Sequence, residues 1–358
     1  MLLAIESSCD EAAVAIVAEG WRVLAEVHAS FADDLAAWGG VVPEIAARGH
    51  IACFPGLVDR ALQAARVELP AIRAVAVTAW PGLIGSLLAG VTVAKAIALR
   101  RDLPLIAVDH IAAHLAAVHL GQPQVPYPFV GLVASGGHSH YYLARAPGEL
   151  ELLGGTIDDA AGEAFDKAAQ ILGLPYPGGP RIDQLAEQGD PRALPLPRPL
   201  IDSGDYRLSF AGLKTALLYQ ARGPLGQGPL RWDAQGIADA CASFRAAVVE
   251  VLVRKLALAA ERHRVRTIAV GGGVACNRAL RSALQQLAAE RHWRLLLPEP
   301  QHCSDNAAMV GALGWFLWQR GCWAAADLAP LPTGAAGPRR AGSGRSGTHD
   351  AGCGTAAR

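Results

Sequence analysis

The chain has 358 residues, 52% of them hydrophobic and 18% charged, with a formal net charge of zero. That balance excludes a disordered protein and a strongly basic nucleic-acid binder, so an RNA partner would have to be met by a local basic patch. The length suits two lobes of ~150 residues better than one core, and no apolar stretch reaches the ~18 uninterrupted residues of a membrane span.

Short apolar runs alternate with amphipathic segments from end to end, the pattern of an α/β protein. At the N-terminus no basic flank or cleavage site of a secretory signal is visible. Strands are predicted at Leu2 to Ile5 and Val14 to Val17, enclosing the polar turn Glu6-Ser-Ser-Cys-Asp-Glu11. Hydroxyls and amides there can face a phosphate, and Asp10 and Glu11 can hold a metal-bound water or act as a base; a plain hairpin turn explains the same residues. A strand at Ala74 to Thr78, a helix at Gly85 to Arg100 and a strand at Leu105 to Val108 follow. A helix is then predicted from Ile111 to His119. His110 and His114, four residues apart at its start, would share one face and offer two imidazoles to one metal.

Beyond the strand Phe129 to Ala134 lies Val133-Ala-Ser-Gly-Gly-His138. Its paired glycines are expected to take positive φ and present amides to an anion, although a hairpin loop accounts for them as well. The helix Ala160 to Leu172 places Glu163 and Asp166 on one face, and Tyr176-Pro-Gly-Gly-Pro180 reads as a rigid turn leading to Asp183. Such acids can grip ribose hydroxyls or cap a surface helix. A Pro-rich loop, Gly189 to Pro199, precedes a helix at Ala234 to His263 and a strand at Thr267 to Val270. The triple glycine 271–273 leads to Asn277, which can cap the next helix, Arg278 to Glu290, or bind a ribose. A strand at Arg294 to Leu297 and a helix at Asn306 to Arg320 close the pattern.

Asp305, at the start of that last helix, is a candidate third ligand beside His110 and His114. Two histidines and one carboxylate leave positions open, as a catalytic metal site does. Seven scattered cysteines without a Cys-x-x-Cys pair suit a reducing compartment, and a cytoplasmic location is expected. The Gly-, Ala-, Ser- and Arg-rich segment 331–358 is expected to be a disordered tail.

Taken in order, the strings Glu6-Ser-Ser-Cys-Asp-Glu11, Gly39-Gly-Val-Val-Pro-Glu44, Pro81-Gly-Leu-Ile-Gly85, His110-Ile-Ala-Ala-His114 and Ser135-Gly-Gly-His138 belong to one pattern. It continues through Asp158 to Lys167, Tyr176 to Pro180, Phe210-Ala-Gly-Leu-Lys214, Gly271 to Val274 with Asn277, and Ser304-Asp-Asn306. The pattern closely resembles the bacterial tRNA threonylcarbamoyladenosine transferase family of the TsaD type, formerly called O-sialoglycoprotein endopeptidases, over roughly residues 1 to 330. The resemblance implies a two-lobed actin-like ATPase (ASKHA) fold with nucleotide and metal in the interlobe cleft. Residues 1–108 with 300–330 would form the N-terminal lobe and 109–299 the C-terminal lobe.

It further implies that His110, His114 and Asp305 bind a divalent metal, usually iron; the donor set also suits zinc or manganese. Val133, Ala134, Ser135, Gly136, Gly137, Asp166, Gly179, Asp183 and Asn277 would bind the adenylate substrate. The implied reaction moves a threonylcarbamoyl group from threonylcarbamoyl-AMP to the adenosine next to the anticodon, in tRNAs reading A-starting codons. The implied partners are an inactive paralogue subunit (TsaB type) and a small ATPase (TsaE type). Ala134 and Cys276 depart slightly from the family pattern, and the tail matches nothing in it.

Because the mixed anhydride is already activated and an aromatic amine is a poor nucleophile, alignment and charge stabilisation should supply most of the acceleration. Asp305 would stay ionised near a helix N-terminus, and Asp10 is the candidate for positioning or deprotonating the amine. A zinc protease needs His-Glu-x-x-His, and Ile111 stands where that glutamate would be. A small-molecule kinase or ATP-switched binding protein of the same fold is the alternative, but phosphoryl transfer sites hold Mg(II) with carboxylates and water rather than imidazole. Arg48, Lys214 and Arg245 are candidates for a tRNA-facing surface.

Overall fold

The computed structural model describes residues 1–31, 42–122 and 124–334. Gly39, Gly40 and Val41 of the second family string, and the tail from residue 335, lie outside the described residues. The chain divides into two compact units, Met1–Gln124 with the segment from Asp305 onward, and Val125–Ser304.

In the first unit β1 (Leu2–Glu6) lies at the centre of a five-stranded sheet, buried on both faces, which is why it reads as one unbroken apolar run. It pairs antiparallel with β2 (Glu11–Ala18), which pairs antiparallel with the edge strand β3 (Arg22–Ser30). On its other side it runs parallel to β4 (Ala74–Trp80), and β4 parallel to β5 (Leu105–Asp109). Helices α1 (Pro43–Ala65) and α2 (Ile84–Arg101) pack together, and α1 also covers β2 and β3. Helix α3 (His110–Ala116) leaves β5 directly, its first turn capped by the Asp109 carboxylate, which accepts from the Ala112 amide at 2.9 Å.

The second unit repeats the order. Strand β6 (Phe129–Ala134) is antiparallel to β7 (Ser139–Ala146), and β7 to the edge strand β8 (Glu149–Gly155). Strand β9 (Thr267–Gly271) runs parallel to β6, and β10 (Arg294–Leu296) parallel to β9. Its core is built from these strands with α4 (Ala161–Ile171), α5 (Gly178–Leu185), α6 (Ala211–Arg222), α7 (Ala234–Arg262) and α8 (Arg278–Arg291). Helix α9 (Ala307–Gln319) belongs to the first unit, where it packs on β1, β2, β4, β5 and α3. The units therefore divide at 124/125 and 304/305, whereas 108/109 and 299/300 were expected; the packing of α3 against α9 keeps residues 109–124 with the first unit.

Two expectations need correction. Tyr176 to Pro180 is not merely a turn, because α5 begins at Gly178. The Ser135-Gly-Gly137 loop joins β6 to β7 as a hairpin, but neither Gly136 nor Gly137 takes positive φ. Positive φ is found instead at Gly272, at 89°, where a Cβ would also collide with the Ala134 carbonyl oxygen.

Candidate metal and nucleotide sites

The metal-ligand candidates meet because three elements of the first unit end at one place. Helix α3 starts at His110, so His110 and His114 stack one turn apart, ring centroids 4.6 Å from each other. Asp305 sits just before Asn306, which caps α9 through the Met309 amide at 2.8 Å. The Asp305 Oδ1 lies 3.5 Å from His110 Nε2 and 3.1 Å from His114 Nε2. Ligands ~2.1 Å from one cation at tetrahedral or octahedral angles stand roughly 3.0–3.4 Å apart, so this spacing fits a shared ion. The burial pattern agrees: His114 is fully buried, its Nδ1 makes no hydrogen bond, and its Nε2 faces Asp305 without hydrogen-bond geometry.

Glu6 completes the group from the end of β1. Its fully buried carboxylate accepts from the Ser8 amide at 2.6 Å, from the Thr78 hydroxyl at 2.6 Å, and faces His110 Nδ1 at 3.2 Å. Burial opposes charge on His110, but Glu6 and then Asp305 outweigh it and raise its pKa to about 9. Burial also penalises the Glu6 charge, yet His110 and the Thr78 hydrogen bond bring its pKa below the usual value. His114 is held below its usual value by burial first. Two carboxylates thus gather one positive charge among the rings, and a divalent ion bound there would displace that proton.

Asp10 and Glu11 flank the same turn. Burial, then the neighbouring Asp305 and Asp10 carboxylates, push Glu11 up to about 7, near the value a general base needs at neutral pH. Neither Glu6 as an orienting group nor the perturbed pKa of Glu11 was legible in the sequence: the first depends on His110, about a hundred residues away, and the second on Asp305, some 300 away.

In the second unit Val133 and Ala134 lie inside β6 with buried side chains, so only their backbone can serve a ligand. The Ser135 amide donates to the His138 carbonyl at 2.7 Å, and Ser135 Oγ accepts from the His138 amide at 3.2 Å. The Gly136 and Gly137 amides donate to no acceptor among the described residues, and no atom comes within 4 Å of a Cβ built on either. The start of α4 backs this loop, with Gly162 donating to the Ser135 carbonyl at 3.1 Å. Open amides in front of a helix N-terminus form an anion site.

The remaining candidates also hold the fold. Asp166 Oδ1 accepts from the Gly178 and Gly179 amides at 2.8 and 3.3 Å and so caps α5. Asp183, near the end of α5, is held by two arginines: Oδ1 by Arg245 Nη1 at 2.8 Å and Oδ2 by Arg278 Nε at 3.0 Å. Asn277 Oδ1 caps α8 through the Leu280 amide at 3.0 Å, leaving its amide nitrogen for other partners. Glu163 reaches back to the Ala160 amide at 3.4 Å and pairs with Lys167 at 2.7 Å, a helix-capping role. Two of the three cations suggested for RNA are engaged internally: Lys214 with Asp159 at 2.7 Å, and Arg245 with Asp183 and Glu187. Arg48 is exposed on α1.

Comparison with known proteins places the chain in a family. The sequence profile described as TsaD, tRNA N6-adenosine threonylcarbamoyltransferase, matches residues 22–312. A protein of that name from Geobacter metallireducens is 50% identical over 321 residues, covering 90% of this chain and 93% of its own. Another, from Symbiobacterium thermophilum, is 48% identical and covers 93% and 96%. Among solved structures, component A of the Acidaminococcus fermentans (R)-2-hydroxyglutaryl-CoA dehydratase superposes with TM-score 0.50 at 18% identity, covering 88% of this chain and 96% of that one. The T. kodakarensis HypF structure gives 0.58 at 13% identity, covering 89% and 48%. These two likenesses concern the fold alone, which is the actin-like ATPase fold. By sequence, the chain belongs to the tRNA N6-adenosine threonylcarbamoyltransferase family and is a transferase.

Proposed function

We propose that this transferase moves the threonylcarbamoyl group of threonylcarbamoyl-AMP to the exocyclic amine of the adenosine next to the anticodon, in tRNAs reading A-starting codons. The amine nitrogen attacks the activated carbonyl carbon, the bond to the phosphate oxygen breaks, and AMP leaves. His110, His114 and Asp305 hold a divalent metal, iron by preference, with zinc and manganese compatible with the same donors. When bound, that ion supplies positive charge for anionic oxygens of the adenylate.

The second unit supplies the nucleotide groups. The open amides of Gly136 and Gly137, with Val133, Ala134 and Ser135, accept anionic oxygens. Asp183, Asp166, Gly179 and Asn277 bind the adenosine moiety, Asp183 as an acceptor for ribose hydroxyls. Asp10 positions the amine or takes its proton, and Glu11 is the neighbouring carboxyl whose environment suits the same task. An inactive paralogue (TsaB type) and a small ATPase (TsaE type) are the proposed partners, and the compartment is the cytoplasm; among the described residues no helix is long and apolar enough to cross a membrane.

The observation that carries the reading is the group of buried His110 and His114 with half-buried Asp305, with Ile111 where a zinc protease needs its glutamate. The test incubates the chain with radiolabelled threonine, bicarbonate, ATP, the adenylate synthase, the proposed partners and unmodified tRNA. Label in the tRNA is expected. Phosphorylation of a small molecule without tRNA label would replace this reading with the kinase alternative.

A further inference from the structure

Two cysteines of the second unit, 27 positions apart in the sequence, meet in the fold. Cys276 ends the short turn Gly273–Cys276 and is exposed, whereas Cys303 follows the turn Pro300–His302 and is fully buried. Both sulfurs face the same stretch of backbone. Cys276 Sγ lies 3.4 Å from the Pro300 carbonyl oxygen, and Cys303 Sγ 3.5 Å from that of Glu299. Pro300 and Glu299 are consecutive, so the two thiols lie against neighbouring carbonyls of one short segment.

Arg281 ties the arrangement together. Its Nη1 donates to the Ala275 carbonyl at 3.0 Å and lies 3.8 Å from Cys303 Sγ, while Nη2 donates to the Pro298 carbonyl at 3.1 Å. Cys276 directly precedes Asn277, the cap of the fourteen-residue α8, so a helix N-terminus and a guanidinium both favour negative charge on its sulfur. The neighbouring Cys303 thiol and then Arg281 hold Cys276 down to about 7 against the effect of burial. By contrast, burial pushes Cys9, Cys53 and Cys241 up, Cys241 to about 12.

We infer that Cys276 and Cys303 are a modification site for hydroperoxides, with Cys276 the attacking sulfur and Cys303 the resolving one. The Cys276 thiolate attacks a peroxide oxygen; the S–O bond forms, the O–O bond breaks, and the leaving alkoxide or hydroxide takes up a proton. Cys303 sulfur then attacks the Cys276 sulfenic acid; the S–S bond forms, the S–O bond breaks, and the departing hydroxide leaves as water with the Cys303 proton. Two thiols lose two electrons and two protons, and one hydroperoxide becomes an alcohol and water. The crosslink would pin the Asn277 turn to the segment running into Asp305. If Asn277 binds the adenylate as proposed above, oxidation lowers transfer.

The test treats the full chain with hydrogen peroxide, blocks the remaining thiols, and maps peptides by mass spectrometry. A Cys276–Cys303 linked pair, lighter by two hydrogens and restored by dithiothreitol, is expected. It should be absent in Cys276→Ser, and Cys303→Ala should instead leave a Cys276 sulfenic acid that dimedone captures. Oxidation of Cys276 straight to sulfinic acid, or linkage to another cysteine, overturns the site. Transfer activity of the oxidised protein should fall about tenfold or more and recover on reduction, as small displacements of positioning groups do. Equal loss in Cys276→Ser overturns the regulatory consequence. Failure of reduced protein to bind AMP would count against the nucleotide reading, while the peptide map still decides the dithiol.

Discussion

Glu6 is fully buried, and it decides how His110 is presented. With Nδ1 directed at the Glu6 carboxylate, His110 Nε2 faces Asp305, and its lone pair is open to a metal once its proton is displaced. Glu6→Gln is expected to weaken metal binding by about 10- to 100-fold, read by competition with a chelator; unchanged affinity would remove Glu6 from the site. Arg245 has a parallel role at Asp183, gripping the carboxylate at 2.8 Å and the same residue's backbone carbonyl at 3.1 Å. Arg245→Lys keeps the charge and loses the fork. It should raise KM for the adenylate several-fold with kcat nearly unchanged, and a fall in kcat alone would contradict this. The grouping of the three candidate metal ligands was legible because two lie four apart on one short helix and the third stands at a helix start. The internal ion pairs of Lys214 and Arg245 were not legible because their acidic partners are more than fifty residues distant.

At the scale of elements, the buried strands were the readable part. Strands β1, β4, β5, β6 and β9 are continuous apolar runs, whereas the edge strands β3 and β8 mix charge with exposed positions and carry no clear period. Helix α1 hid behind an internal proline, Pro55, and α5 behind its opening Gly-Gly-Pro. Helix α9 was found, but its packing was not: a Cβ on Gly311 would run into Val17 of β2. Gly311→Val should therefore cost about 1–3 kcal/mol, measured by the denaturant midpoint. Ahead of α4, burial resists the charge on Asp159, but Lys167 at 2.6 Å and Lys214 at 2.7 Å outweigh it and lower its pKa. A lowered acid stabilises the fold above its unfolded pKa, and that contribution disappears as pH falls through the folded value. Asp159→Asn should thus be less stable at neutral pH, and the difference from the parent should close below about pH 4 in parallel melts.

For the molecule as a whole, the first unit is discontinuous and the second is not. A chain stopped after Ser304 loses α9 from the face of β1, β2, β4 and β5. Limited proteolysis should then degrade residues 1–124 while a fragment close to 125–304 resists; equal survival of both would contradict the division. Both sheets share one strand order, β3-β2-β1-β4-β5 and β8-β7-β6-β9-β10. In each, a glycine in the turn after the fourth strand of that order presses against the chain where the third strand ends and its hairpin begins. A Cβ on Gly82 would strike Ser8, and one on Gly272 would strike Ala134. The same joint therefore exists twice, holding up carboxylates in one copy and bare amides in the other. Such a duplicate lets selection rewrite the chemistry of one mouth without touching its twin, since the brace asks only for an absent side chain.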